Sequence, residues 1–97
     1  MENRRKNERV TTNLPAYWEG LAGRHEARIE DLSRGGCFVN TKGRVDEGEA
    51  VGIEIKLPSG AWLKLRGKAT FYDQGIGFGV AFSALSDEEQ QAIEQVL

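Results

Sequence analysis

The chain has 97 residues, of which 39% are hydrophobic and 29% charged, with 12 glycines, two prolines and a formal net charge of −2. That length suits one domain with one core, and the apolar share is too high for a disordered tail. The acidic balance argues against a non-specific duplex-DNA binder, which is usually clearly basic.

The first nine residues concentrate positive charge: Arg4, Arg5, Lys6 and Arg9 stand against Glu2 and Glu8. No apolar leader segment follows Met1, and no apolar run approaches the ~20 residues of a membrane span. A strand is expected at Val10–Tyr17. In Arg24–Leu32, Ala27 and Ile29 oppose Glu26, Arg28 and Glu30, a period-two pattern that predicts a second strand. His25 lies in this charged stretch and reads as a surface or strand-end imidazole. Asp31-Leu32-Ser33-Arg34-Gly35-Gly36 then breaks the pattern, and a short strand is expected at Gly36–Asn40.

Asp46-Glu47-Gly48 punctuates the chain before a fourth strand, Ala50–Leu57, whose Val51, Ile53, Ile55 and Leu57 share a face. Pro58-Ser59-Gly60 is a hairpin turn. In the fifth strand, Ala61–Tyr72, Leu63, Leu65, Ala69 and Phe71 are expected inward, and Trp62 falls on the polar face. Trp62 is therefore a candidate for a dimer or partner surface. A sixth strand is expected over Gly75–Phe82, with Ile76, Phe78, Val80 and Phe82 inward and small residues outside. Its glycines alternate with large apolar residues and lack the spacing of a dinucleotide-binding loop, since position 80 is Val80. They leave the outer face open to close approach by a ligand or another backbone.

Ser86-Asp87-Glu88-Glu89 is a capping box, and Ala92, Ile93, Val96 and Leu97 give the apolar stripe of a short helix over 86–97. The last twelve residues carry four acids and no base. Clean alternation over about six strands predicts an all-β, six-stranded antiparallel barrel with a short C-terminal α-helix.

Catalytic machinery is not legible. One histidine and one cysteine make neither a nucleophile–base pair nor a metal set, so no enzyme and no cofactor is expected. Cys37 alone can form no intrachain disulfide and reads as a small core residue, which fits a reducing cytoplasm. Two segments do suggest binding. Arg5 and Arg9 have the spacing R-x-x-x-R, and guanidinium forks suit phosphate oxygens or the O6/N7 edge of guanine. Asp31 offers two acceptors that match guanine N1–H and N2–H₂, while the Ser33 hydroxyl and the Gly35 and Gly36 amides suit phosphate. In an extended chain Asp31 and Ser33 point the same way.

These two segments resemble the signatures of the PilZ domain, a family that binds cyclic di-GMP: R-x-x-x-R at Arg5 and Arg9, and [D/N]-x-S-x-x-G at Asp31, Ser33 and Gly36. Gly77–Phe82 followed by an acid-capped helix resembles the family's closing strand and C-terminal helix. The resemblance implies a single PilZ-like domain over 1–97, made of a flexible ligand-clasping segment 1–9, a barrel 10–83 and a helix 86–97. It implies that Arg5 and Arg9 clasp guanine and phosphate, that Asp31 reads a guanine edge, that Ser33 holds phosphate or base, and that Gly36 leaves room. Arg4 precedes the first signature, a feature associated in the family with a stacked ligand dimer, so two copies per chain are expected. The family often carries tryptophan near the end of its fifth strand; here Phe71 and Tyr72 stand there. The implied role is that of a cytoplasmic receptor whose segment 1–9 reorders to engage an effector protein in motility or biofilm control. DNA is not an expected partner, and the chain is expected to be a monomer or weak dimer. Two other readings are a ligand-independent interaction module of the same fold and a weak single-strand RNA binder using the basic arm.

Overall fold

A computed structural model of the chain describes residues 9–97. Six strands run in the order β1 (Val10–Gly20), β2 (Gly23–Leu32), β3 (Gly36–Asn40), β4 (Ala50–Lys56), β5 (Trp62–Asp73) and β6 (Gly77–Phe82), and α1 (Asp87–Val96) follows. All pairings are antiparallel, and the sheet closes into a barrel in the order β1-β2-β3-β6-β5-β4. Closure gives every strand a partner on each side.

Alternation builds the core. Val51, Ile53 and Ile55 of β4 point inward and pack against Leu65 and Ala69 of β5, Phe78 and Val80 of β6, and Ile29 of β2. Trp18 is the largest buried side chain. Its ring meets Phe78 edge-on at 4.9 Å, and its Nε1 donates to Thr41 Oγ1 at 3.0 Å, so burial leaves no indole proton unpaired. His25 differs from its sequence reading. Its backbone pairs with Trp18, and its half-buried ring stacks on that indole at 4.7 Å instead of standing in solvent.

Two further differences concern β5 and β6. The last strand begins at Gly77, so Gly75 and Ile76 belong to the turn and Ile76 is exposed. Phe71 is exposed as well. Ala69 pairs with Val80 and Phe71 with Gly79, so Thr70 is an extra residue, a β-bulge. One inserted residue turns the next side chain to the other face.

The helix is capped as its sequence implies. Ser86 Oγ accepts from the Glu89 amide at 3.1 Å, and Glu89 Oε1 accepts from the Ser86 amide at 2.9 Å. Ile93 is fully buried, and Val96 and Leu97 pack beside it on the barrel core.

Candidate functional site

The second signature occupies the turn between β2 and β3. Beside it, β2 holds a bulge of its own: Ile29 pairs with Val39 and Asp31 with Phe38, leaving Glu30 as the extra residue. Asn40 Nδ2 donates to Glu30 Oε2 at 2.7 Å across the same pair of strands. Strict alternation from Ile29 would send Asp31 inward. With the bulge, Leu32 takes the inward position and Asp31 stays partly exposed. The two bulges thus turn Asp31 and Phe71 out onto one surface.

Ser33 behaves differently from Asp31. It is buried, and its Oγ accepts from the Gly35 and Gly36 amides at 3.2 and 3.1 Å and donates to the Gly36 carbonyl at 3.2 Å. All three hydrogen-bonding positions of the hydroxyl are used inside the turn. The Ser33 hydroxyl is therefore committed to the turn while Asp31 stays partly exposed, and both glycine amides are engaged. The Phe82 amide donates to the Gly35 carbonyl at 2.9 Å and fastens the turn to β6. Gly36 is required by contact: a Cβ there would lie 2.1 Å from the Val80 carbonyl oxygen.

Of the first signature, Arg9 lies within the described residues, and Arg4 and Arg5 lie outside them. Arg9 Nη1 donates to Asp31 Oδ1 at 2.6 Å, so the end of R-x-x-x-R meets the start of D-x-S-x-x-G. Both side chains retain solvent contact. The pair stands at a pocket of about 300 Å³ whose lining also includes Ser33, Gly35, Gly36, Phe38, Phe71 and Gly79. Phe38 of β3 and Phe71 of β5 stack at 5.9 Å across the strand that holds Gly79. A Cβ on Gly79 would come within 2.4 Å of Phe71 Cε1, so the glycine makes space for the ring. The sequence showed Phe71 only as standing where the family often carries tryptophan, and it gave Phe38 no part in the site. The clue was the placement of a glycine between two phenylalanines, which requires the strand pairing to interpret.

The pocket combines a guanidinium, a carboxylate, a hydrogen-bonded turn and an aromatic floor. Those groups suit a planar heterocycle joined to an anion, with aromatic faces for a ring, a carboxylate acceptor for an N–H edge and a guanidinium for an anion. Cys37 lines the pocket from beneath, and burial pushes its thiol pKa up, which keeps it protonated and unreactive. No group of three or more metal-ligating side chains occurs among the described residues.

Arg34, in the same turn, reaches the helix: its Nε lies 3.1 Å from Glu94 Oε2. A second, larger groove of about 480 Å³ is lined by Tyr17, Arg28, Lys42, Lys56 and Trp62 among others, and shares no residue with the signature pocket.

The PilZ domain family model matches residues 3–97. A comparison with curated proteins finds no match. Several solved structures share the fold. The PilZ domain with c-di-GMP of YcgR from Escherichia coli superposes with a TM-score of 0.79 at 16% identity, covering 97% of this chain and 88% of that one. The Bacillus subtilis inhibitor of motility MotI/DgrA gives 0.79 at 20% identity, covering 97% of this chain and 49% of its own. Borreliella burgdorferi PlzA in complex with c-di-GMP gives 0.74 at 20% identity, with 97% and 41% covered. The chain spans about half the length of MotI and less of PlzA. The chain belongs to the PilZ domain family.

Proposed function

From this membership, we propose that the chain is a non-catalytic receptor for cyclic di-GMP that binds in the pocket between the β2–β3 turn and the bulged end of β5. The Arg9–Asp31 pair beside the Phe38–Phe71 floor carries the reading. Guanine stacks on the floor and offers N1–H and N2–H₂ to Asp31. Arg9, with Arg5 and Arg4 from the lead-in, takes phosphate and the O6/N7 edge, and Arg4 brings a second, stacked copy of the ligand. Ser33, Gly35 and Gly36 set the turn that presents Asp31.

Binding exchanges one set of contacts for another. In the free protein, Arg9 holds Asp31. An exposed ion pair of this kind contributes about 0.2–1 kcal/mol. A bidentate base contact contributes about 1–3 kcal/mol. The ligand therefore displaces the pair, drawing Arg9 to phosphate while Asp31 turns to guanine. The chain before Arg9 moves with it. That reordering of residues 1–9 is the signal that an effector protein reads, in a cytoplasmic setting such as motility or biofilm control.

Calorimetric titration of the full chain with cyclic di-GMP tests this. Saturable binding near two ligands per chain is expected, with Arg9→Ala and Asp31→Ala each weakening it roughly 5–150-fold, the equivalent of about 1–3 kcal/mol. The absence of saturable heat up to about 100 µM ligand overturns the proposal.

A further inference from the structure

The larger groove has its own chemistry. Trp62 is 46% exposed and stands where the alternation of β5 calls for a polar side chain. Its ring lies 5.8 Å from that of Tyr17, and the Arg24 guanidinium covers the Tyr17 ring at 4.5 Å. Arg24 in turn donates to both Glu54 carboxylate oxygens, at 3.1 and 3.2 Å. Tyr17, the base of the aromatic pair, is thus held in place before any partner arrives, which lowers the ordering cost of binding.

Charge surrounds this platform. Arg28, Lys42 and Lys56 line the groove, and none has an ion-pair partner among the described residues; Glu26 is the one acid in the lining. The local excess is two positive charges on a chain whose net charge is −2. An exposed tryptophan beside cations with no ion-pair partner among the described residues has the composition of an interface centre, where aromatic anchors contribute most of the binding energy. The charge pattern favours a short ligand. A nucleic-acid strand needs a run of cations along its phosphates, whereas this groove concentrates three around one aromatic pair.

We propose that this groove is a docking surface for an acidic peptide segment of a partner protein, one large apolar side chain resting on Trp62 and Tyr17 and its neighbouring carboxylates meeting Arg28, Lys42 and Lys56. Because the groove shares no residue with the dinucleotide pocket, the two sites can be filled together, and this inference stands whether or not the chain binds cyclic di-GMP.

Amide and indole NMR of the full chain tests it, with a blocked pentapeptide of alternating glutamate and phenylalanine as the probe, because weak binding is visible at about 1 mM ligand. Shifts of the Trp62 indole and of the Lys42 and Lys56 amides are expected. Trp62→Ala, and separately the double variant Lys42→Glu/Lys56→Glu, should each weaken binding at least about tenfold while the spectrum stays folded. The matching lysine–phenylalanine peptide and hexauridylate should leave the groove unshifted. Four results overturn the proposal: no shift with the acidic peptide, equal shifts with the lysine–phenylalanine peptide, equal shifts with hexauridylate, or the same shifts on concentrating the protein alone, which assigns the groove to a second copy. Cyclic di-GMP added to the same samples reads out at Asp31 and Gly36, so failure at one site is distinct from failure at the other.

Discussion

Asp31 and Ser33 lie two positions apart in one signature, yet their side chains do unlike work. Asp31 is partly exposed and paired with Arg9, so its carboxylate remains available to a competing donor. Ser33 is 2% exposed, and its hydroxyl is fully committed to the backbone of Gly35 and Gly36. The two alanine variants should therefore separate. Ser33→Ala removes the acceptor for two amides and should destabilise the fold by about 1–3 kcal/mol, seen as a lower urea midpoint. Asp31→Ala should shift that midpoint little, since an exposed ion pair contributes about 0.2–1 kcal/mol. The identity of these residues was legible in the sequence because a signature consists of residue types at fixed spacing. The commitment of the Ser33 hydroxyl to the turn was not, because it depends on how the chain folds back after Leu32.

The strands themselves were largely legible, since alternating apolar residues bounded by Gly, Pro and Asp leave few other solutions. The bulges were not. Thr70 and Glu30 fit the period-two pattern as well as any neighbour, and only cross-strand pairing shows that each is one residue too many. The consequences fall at the site: Phe71 leaves the core position its pattern assigns, and Asp31 avoids burial. Phe71 then lies over Gly79 beside Phe38, where it forms half of the pocket floor. Phe71→Ala should weaken dinucleotide binding by about 1–3 kcal/mol per stacked base while changing the urea midpoint little, because the ring is already 46% exposed. A collapse of folding with no separable binding defect would instead return Phe71 to the core. The helix shows the opposite balance: its cap was readable at Ser86 and Glu89, but its tie to the signature turn through Arg34 and Glu94 joins residues 60 positions apart and carries no local pattern.

Across the whole molecule, a closed barrel lets one small chain present two separate surfaces. The signature pocket draws on β2, β3, β5 and β6, with Arg9 entering just before β1. The aromatic groove draws on β1, β2, the end of β3, β4 and the start of β5. The −2 net charge conceals this division, with cations gathered at the lead-in and in the groove and acids gathered on α1. The barrel thus holds the signature pocket and the aromatic groove apart, with no lining residue in common. The most direct measurement is an amide NMR titration of the full chain with cyclic di-GMP, followed residue by residue. Shifts should concentrate on Arg9, Asp31, Gly35, Gly36, Phe38, Phe71 and Gly79, with the signals of residues 1–8 changing in step. Saturation that leaves those amides unmoved, or moves the Trp62 groove in their place, contradicts the account.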